Sequence, residues 1–141
     1  MHKNDFLFSL SMQVRDYECD LQGVVNNANY LHYLEHTRHR YLLSLGESFA
    51  RLHDEGIDLF VSCVNICYRQ PLRSGDRFVS GLTPRREGPK LIFEQTIYRL
   101  RGDEHEYEPE LRDKSVYATV ECVAVVNGRL SRGDYFDRLV N

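Results

Sequence analysis

The chain has 141 residues and a net charge of −3, with 42% hydrophobic and 28% charged side chains. These values are typical of one globular domain and exclude a disordered chain. They also argue against a nucleic-acid-binding protein, which usually carries a basic excess. No apolar run approaches the roughly 20 residues that span a membrane, and the first residues lack the apolar core of a signal peptide. We therefore expect a cytoplasmic protein with a single domain over residues 1–141.

Sequence patterns predict one strand, one long helix and then four more strands. Alternating apolar side chains from Phe6 to Val14 predict the first strand. Apolar residues at helical spacing between Asn29 and Leu45, including Leu31 and Leu34, predict the helix, which Gly46 would end. The later predicted strands are 59–68, 77–83, 91–98 and 116–126, with a charged turn at 84–89, an exposed loop at 101–114 and short helical segments at 48–55 and 134–140.

Strands that follow a single helix predict an α+β fold, in which an antiparallel sheet of about five strands packs on one long central helix. A single helix covers only one face of a sheet, so we expect a second copy of the chain to bury the other face. Cys63 and Cys67 share a predicted strand and would lie roughly 13 Å apart, too far for a disulfide. We expect them to be buried free thiols.

The segment from Tyr17 to Tyr30 combines a carboxylate, a glycine and amide side chains just before the predicted helix. The start of a helix presents unpaired backbone N–H groups that can stabilise an oxyanion. Gly23 lets the backbone approach a ligand closely, and Asp20 could activate water or attack a carbonyl itself. These parts suit acyl transfer from an activated ester. An Asp before a Gly in a polar loop is also ordinary turn chemistry, and both interpretations stay open at this point.

The same segment, with Val14-Arg15 before it and Leu31 to Arg38 after it, resembles the hotdog-fold thioesterases of the 4-hydroxybenzoyl-CoA thioesterase and YbgC-like acyl-CoA thioesterase group. The resemblance implies a hotdog fold and hydrolysis of an acyl-CoA to the free acid and CoA. It implies no cofactor, because coenzyme A is part of the substrate. An acyl carrier protein could replace CoA as the carrier. A homodimer or homotetramer with the site at a subunit interface is also implied.

The resemblance assigns roles to individual residues. Asp20, the second acid of the pattern that begins at Glu18, falls on the catalytic aspartate, either as general base or as nucleophile. The backbone N–H of Asn27 falls on the oxyanion donor, and Tyr30 falls on a tyrosine that helps to line the site. Gly23 belongs to the same pattern.

Two further groups of residues receive a role from the resemblance beside a structural alternative. Arg85, Arg86 and Lys90 fall where the family binds CoA phosphates, and a solvated hairpin tip is the alternative. Glu35 falls where some hotdog enzymes keep a catalytic or supporting carboxylate. The favoured interpretation of Glu35 is an ion pair with a neighbouring basic residue on the helix.

Two other functions compete with thioester hydrolysis. The run from His32 to His36 matches the H-x-x-E-H signature of a zinc hydrolase, and both histidines would lie on one helix face. A third protein ligand is not evident, so we predict no metal site. A hotdog protein could also bind acyl-CoA without turnover, which a thiol-release assay distinguishes from catalysis.

Overall fold

This computed structural model describes residues 6–101 and 113–140, so most of the predicted loop 101–114 lies outside the described residues. The helices and strands are β1 (Phe8–Gln13), α1 (Asn27–Ser44), α2 (Phe49–Asp54), β2 (Ile57–Tyr68), β3 (Arg77–Glu87), β4 (Lys90–Arg99), β5 (Lys114–Val126) and β6 (Arg129–Leu130). Short 3-10 helices occupy Asp16–Glu18 and Asp134–Leu139. Within the described ranges, the helices are all too short or too polar to cross a membrane.

The strands form one antiparallel sheet in the order β1-β3-β4-β5-β2, with β6 paired to the far end of β5. Because α1 packs against this sheet, the predicted α+β architecture is confirmed. The order leaves β2 at an edge, paired with β5 on one side. The edge position of β2 becomes important for the site, because the end of this strand lines the cleft described below.

The prediction of a turn over residues 84–89 is wrong in part, because β3 continues to Glu87 and only Gly88 and Pro89 separate it from β4. Pro84 pairs with Phe93 of β4 inside the ladder. Proline lacks an N–H, so a strand tolerates it only where no neighbour needs that donor. The β1 ladder ends at the pair of Phe8 with Leu82, so β3 is an edge strand at Pro84.

The buried face of α1 differs from the predicted leucine stripe, since Leu31 and Leu45 are 41% and 42% exposed. The buried residues of the helix are Tyr30, Tyr33, Leu34, Thr37, Arg38, Tyr41 and Leu42. These recur three or four residues apart, as one helix face requires. Aromatic and polar side chains therefore define the face that meets the sheet, and a leucine count alone misplaces it.

A buried polar band separates two apolar clusters, one under the start of α1 and one under its end. The hydroxyl oxygens of Thr37 and Ser80 lie 2.7 Å apart. Arg38 Nη1 donates to Gln95 Oε1 at 3.0 Å, and Gln95 Nε2 donates to the Leu34 carbonyl oxygen at 3.1 Å. Burial lowers the pKa of Arg38. These specific partners hold the helix to β3 and β4 in one alignment.

All four cysteines are free, as expected for the pair on β2. The expected burial of Cys63 and Cys67 is wrong, because both are exposed on this edge strand, whereas Cys122 on β5 is buried. An edge strand pairs on one side only, so its side chains receive less cover than those of β5.

Candidate active site

Asp20 begins the turn of a short hairpin that connects the 3-10 helix at Asp16–Glu18 to α1. Its N–H donates to the Val24 carbonyl oxygen at 2.9 Å, and its own carbonyl oxygen accepts from the Gly23 N–H at 2.9 Å. Gly23 has a φ of 81°, the left-handed conformation that favours glycine in a three-residue hairpin loop. The space beside Gly23 is open. The backbone conformation therefore accounts for this glycine.

The half-buried carboxylate of Asp20 is fixed by its own turn. Its Oδ1 accepts from the Gln22 backbone N–H at 2.9 Å. With the side-chain amide of Gln22 turned so that its nitrogen faces Asp20, that nitrogen donates to the two carboxylate oxygens at 3.0 and 3.2 Å. Asp20 thus has the turn-forming role that its position before a glycine suggested. The same contacts hold its charge in a defined orientation.

Glu18 is the residue that fastens this hairpin to the helix, and its side chain is buried. Glu18 Oε1 accepts from the Tyr33 hydroxyl at 2.7 Å and from the Arg15 backbone N–H at 2.9 Å. The Glu18 carbonyl oxygen accepts from the Asn26 N–H at 3.0 Å and from Asn29 Nδ2 at 2.8 Å. Three of these hydrogen bonds, from Asn26, Asn29 and Tyr33, join the loop to the first two turns of α1.

The start of α1 has one backbone N–H that is capped and one that is open. Asn26 Oδ1 accepts from the Ala28 N–H at 2.9 Å, so Asn26 caps the helix start. The Asn29 N–H donates to the Asn26 carbonyl oxygen at 2.8 Å. Among the described residues, the Asn27 N–H has no acceptor. An unpaired N–H at a helix start is the group that can stabilise a developing oxyanion.

A cleft of about 150 Å³ opens beside this helix start. Its lining residues are Val24, Val25, Asn27, Tyr30, Tyr68, Arg69, Gln70 and Pro71. The buried Tyr30 hydroxyl accepts from the Leu72 N–H at 2.9 Å. Burial raises the pKa of Tyr30, so this hydroxyl stays neutral at ordinary pH. Sequence reasoning missed Tyr68 and Arg69, which reach the cleft only because β2 ends there.

Asp20 lies outside the lining of the cleft, at the tip of the hairpin whose other strand contributes Val24 and Val25. Asp20 pairs with Val24, so strand geometry places its backbone at most about 11 Å from that of Asn27. An aspartate side chain, a water molecule and a carbonyl group together span such a gap. The loop thus brings the carboxylate and the open N–H to one side of the molecule.

Glu35 is not brought to the cleft within this chain. It lies eight residues beyond Asn27, about 12 Å along the helix axis. Glu35 Oε2 lies 3.9 Å from His39 Nε2 on the exposed face of α1. This is an ion pair with a basic helix neighbour, the interpretation of Glu35 that the sequence favoured. Burial lowers the pKa of His39, and the Glu35 charge opposes that shift.

The two histidines of the zinc-like signature are both exposed on α1. His32 Nδ1 lies 3.2 Å from Asn29 Oδ1. Over residues 6–101 and 113–140, no group of three or more His, Cys, Asp or Glu side chains could hold a metal ion.

The three predicted phosphate-binding cations meet at the β3–β4 turn, and each already pairs with a carboxylate of the chain. Arg85 pairs with Glu87 at 3.2 Å and with Glu94 at 3.1 Å. Arg86 pairs with Asp134 at 3.3 Å and with Asp137 at 2.9 Å. Lys90 pairs with Glu121 at 2.9 Å. Lys90 begins β4, whereas Lys114 pairs with Tyr98 near the end of β4. The turn therefore lies about 26 Å along the sheet from the strand ends beside the cleft.

Comparison with known proteins identifies relatives of one kind. A model of the thioesterase-like superfamily matches residues 14–132. The chloroplastic acyl-acyl carrier protein thioesterase ATL3 of Arabidopsis thaliana is 38% identical over 100 residues, which cover 67% of this chain and 50% of that protein. The putative acyl-CoA thioesterase YneP of Bacillus subtilis is 34% identical over 93 residues, which cover 65% of this chain and 67% of that protein. The chain spans about half the length of the plant relatives that it matches.

Solved structures share the architecture. The 1,4-dihydroxy-2-naphthoyl-CoA thioesterase from Synechocystis superposes with a TM-score of 0.76 at 19% identity, over 89% of this chain and 88% of that one. At this level of identity the likeness shows the fold alone. The expected hotdog fold, an antiparallel sheet with one long helix packed against it, is therefore confirmed.

Replacing Tyr33 with Phe removes one donor from the buried Glu18 carboxylate while keeping the ring that packs on Phe78. Burial raises the pKa of Tyr33, so its hydroxyl is a donor at all ordinary pH values. Because hydrogen bonds to charged groups contribute about 1.5–3 kcal/mol, we expect the free energy of unfolding in urea to fall by that amount. Tyr17→Phe is the matched control on an exposed tyrosine, with an expected change of less than about 0.5 kcal/mol. Equal stability of the two variants would contradict the role given to Glu18.

Proposed function

This chain belongs to the thioesterase-like superfamily, and we propose that it hydrolyses an acyl thioester to the free acid and the carrier thiol. The observation that carries the proposal is the backbone N–H of Asn27, which has no acceptor among the described residues and belongs to a residue that lines the cleft next to the hairpin of Asp20. The helix start adds the positive end of the α1 dipole to that N–H. A carboxylate beside an oxyanion-binding group is what hydrolysis of an activated ester needs.

The proposed reaction places the thioester carbonyl oxygen against the Asn27 N–H. In one route Asp20 accepts a proton from water, and the resulting hydroxide attacks the carbonyl carbon. In the other route Asp20 attacks the carbon itself, and water then hydrolyses the mixed anhydride. In both routes negative charge develops on the carbonyl oxygen, the carbon–sulfur bond breaks, and the thiolate leaves and takes up a proton. The Asn27 N–H lowers the barrier because it meets that developing charge.

Within the superfamily, the pattern from Arg15 through Asp20 to Tyr30 supports the 4-hydroxybenzoyl-CoA thioesterase and YbgC-like group and an acyl-CoA substrate. The names of relatives support both carriers, since one is an acyl-acyl carrier protein thioesterase and another a putative acyl-CoA thioesterase. Glu35 enters the proposal as a structural residue, since it pairs with His39 away from the cleft.

Asp20→Asn tests the proposal with a near-isosteric change. The amide can still accept from the Gln22 N–H, so the turn is preserved while the negative charge is removed. General acid–base help is worth about 10²–10⁴ in rate, so we expect kcat for thiol release from benzoyl-CoA and medium-chain acyl-CoAs to fall by at least about 100-fold. Asp16→Asn, on an exposed acid earlier in the same loop, is the control and should keep kcat within about threefold.

The turn contacts of Asp20 favour one competing function, an acyl-CoA-binding hotdog protein without turnover. Binding of acyl-CoA with no thiol release by the unmodified chain would establish that function. A drop in kcat of less than about tenfold in Asp20→Asn would remove Asp20 from its catalytic role.

The edge strand β2 supports a further part of the proposal, self-association of the chain. Its apolar side chains are exposed, with Phe60 at 52%, Val61 at 47%, Val64 at 38% and Tyr68 at 44%. An edge strand with apolar exposure is a template for pairing with another copy. Tyr68 also lines the cleft, so a homodimer or homotetramer formed through β2 would place the site at a subunit interface.

Antiparallel pairing of two β2 strands would also bring the β3–β4 turn of a second copy towards the cleft. The prediction that Arg85, Arg86 and Lys90 meet CoA phosphates therefore becomes part of the oligomer proposal. Within one chain these three cations lie at the wrong end of the sheet.

Phe60→Asp tests self-association by placing a charge on the exposed edge strand. Burying an unpaired carboxylate at an interface is costly, so we expect the mass measured by light scattering to fall to that of a single chain. Leu130→Asp is the control, because Leu130 is 68% exposed on β6, which pairs with β5 on the side opposite to β2. A single-chain mass for the unmodified protein, or an unchanged multimer in Phe60→Asp, would contradict this part of the proposal.

A further inference from the structure

Three cations lie on or next to the segments that line the cleft, and among the described residues their charged groups form no ion pair with a carboxylate. Arg69, Arg73 and Lys114, here called the cleft-mouth cations, form no salt bridge with any described residue. The cations of the β3–β4 turn, in contrast, are all paired with acids of the chain. Positive charge that the protein itself does not neutralise is charge that an anionic ligand can meet.

Arg69 and Lys114 share one side of the mouth. Arg69 lines the cleft directly after the end of β2, and its backbone N–H donates to the Ser115 carbonyl oxygen at 2.7 Å. Lys114 is the residue before Ser115, and its Nζ lies 5.1 Å from the centre of the Tyr117 ring. The Arg69 guanidinium lies close enough to Tyr117 to lower its pKa, against the larger opposite effect of Cys67. The two cations thus flank one exposed tyrosine, Tyr117, on the strand next to the end of β2.

Arg73 lies next to two of the segments that line the cleft. It follows the lining residue Pro71 by two positions and forms a backbone bridge with Val24, another lining residue. Its backbone N–H donates to Asp76 Oδ2 at 2.8 Å, whereas its guanidinium forms no ion pair within residues 6–101 and 113–140. Arg73 and Arg69 are both exposed, and four residues allow their backbones to be at most about 13 Å apart. A doubly charged group between them would contact both.

We propose that the cleft-mouth cations bind the phosphate of a phosphopantetheine arm whose thioester end reaches Asn27. The inference rests on the proposed function, because it concerns the carrier of the same thioester. CoA and acyl carrier proteins both present the acyl group at the end of this arm, with a phosphate at its other end. Guanidinium groups match phosphate oxygens with two donors each, and a lysine adds a point charge. The cleft walls combine apolar and polar residues, which suits the methyl and amide groups of the arm, and the exposed Arg69 suits the phosphate.

The test compares two substrates that differ only in that phosphate, acyl-phosphopantetheine and acyl-pantetheine with the same acyl group. In the Arg69→Gln/Lys114→Gln variant we expect KM for the phosphorylated substrate to rise about tenfold while kcat stays within twofold. KM for the substrate without phosphate should not change. Arg73→Gln should act in the same direction, and Arg69→Lys should recover part of the loss.

Arg40→Gln is the matched control. Arg40 is an exposed arginine that forms no ion pair among the described residues. It lies thirteen residues beyond Asn27 on α1, about 20 Å along the helix axis. It should leave both KM values unchanged. Circular dichroism and the unfolding midpoint confirm that each variant is folded.

Two more substrates distinguish the source of the phosphate. The cleft-mouth variants should raise KM for acyl-CoA and for an acyl carrier protein alike, because the arm is common to both. Arg85→Gln/Lys90→Gln should raise KM for acyl-CoA alone if the turn cations meet the remaining phosphates of CoA. An effect of the turn variant with none from the cleft-mouth variants would overturn the inference.

The inference and the proposed function fail in different ways. If the unmodified chain releases no thiol from any thioester, the proposed function is wrong. The inference is then tested by calorimetric titration with phosphopantetheine and with pantetheine. Equal binding of these two compounds overturns the inference. So does an equal change in KM for acyl-phosphopantetheine and acyl-pantetheine, or an unchanged KM in the Arg69→Gln/Lys114→Gln variant. Tighter binding of phosphopantetheine that Arg69→Gln/Lys114→Gln abolishes supports it.

Discussion

The buried carboxylate of Glu18 is the constraint on which the arrangement of the site depends. A carboxylate out of water is stable only with donors around it, and here the Tyr33 hydroxyl and the Arg15 N–H supply them. Tyr33 belongs to the core under the start of α1, so satisfying Glu18 joins the loop to the centre of the protein. The carbonyl oxygen of the same residue then accepts from Asn26 and Asn29. These hydrogen bonds join the loop and the helix start into one unit.

This unit places two kinds of chemistry on one side of the molecule. The hairpin carries the Asp20 charge, and the helix entry leaves the Asn27 N–H without an acceptor in the described chain. The edge strand β2 ends against the same place and contributes the Tyr68 ring and the Arg69 charge. The hotdog sheet thus brings the helix start, Tyr68 and Arg69 together at one cleft, and the Asp20 carboxylate lies on the adjoining hairpin. Self-association through β2 would enclose that cleft further.

Sequence patterns predicted the strands and the helix because alternation and helical spacing are local properties. They misplaced the end of β3, since Pro84 is allowed in the ladder only because β1 has already ended. The loop residues alone left the role of Asp20 open. Resemblance to a family assigned catalytic roles to Asp20 and to the Asn27 N–H. The fastening role of Glu18 was missed because its partner Tyr33 lies fifteen residues away, and an arginine at position 15 obscures the capping-box spacing. The acids that neutralise Arg86 lie in the C-terminal segment, so composition at the turn overstated its free charge.

The central claim is that the thioester carbonyl meets the backbone N–H of Asn27. The most direct measurement is an amide ¹H–¹⁵N correlation spectrum of the protein, titrated with an acyl-CoA analogue in which a ketone methylene replaces the thioester sulfur. The account predicts that the Asn27 cross-peak moves downfield by more than those of its neighbours Ala28 and Asn29, whose N–H groups already have acceptors. A saturating titration that shifts other signals and leaves the Asn27 cross-peak in place would contradict it.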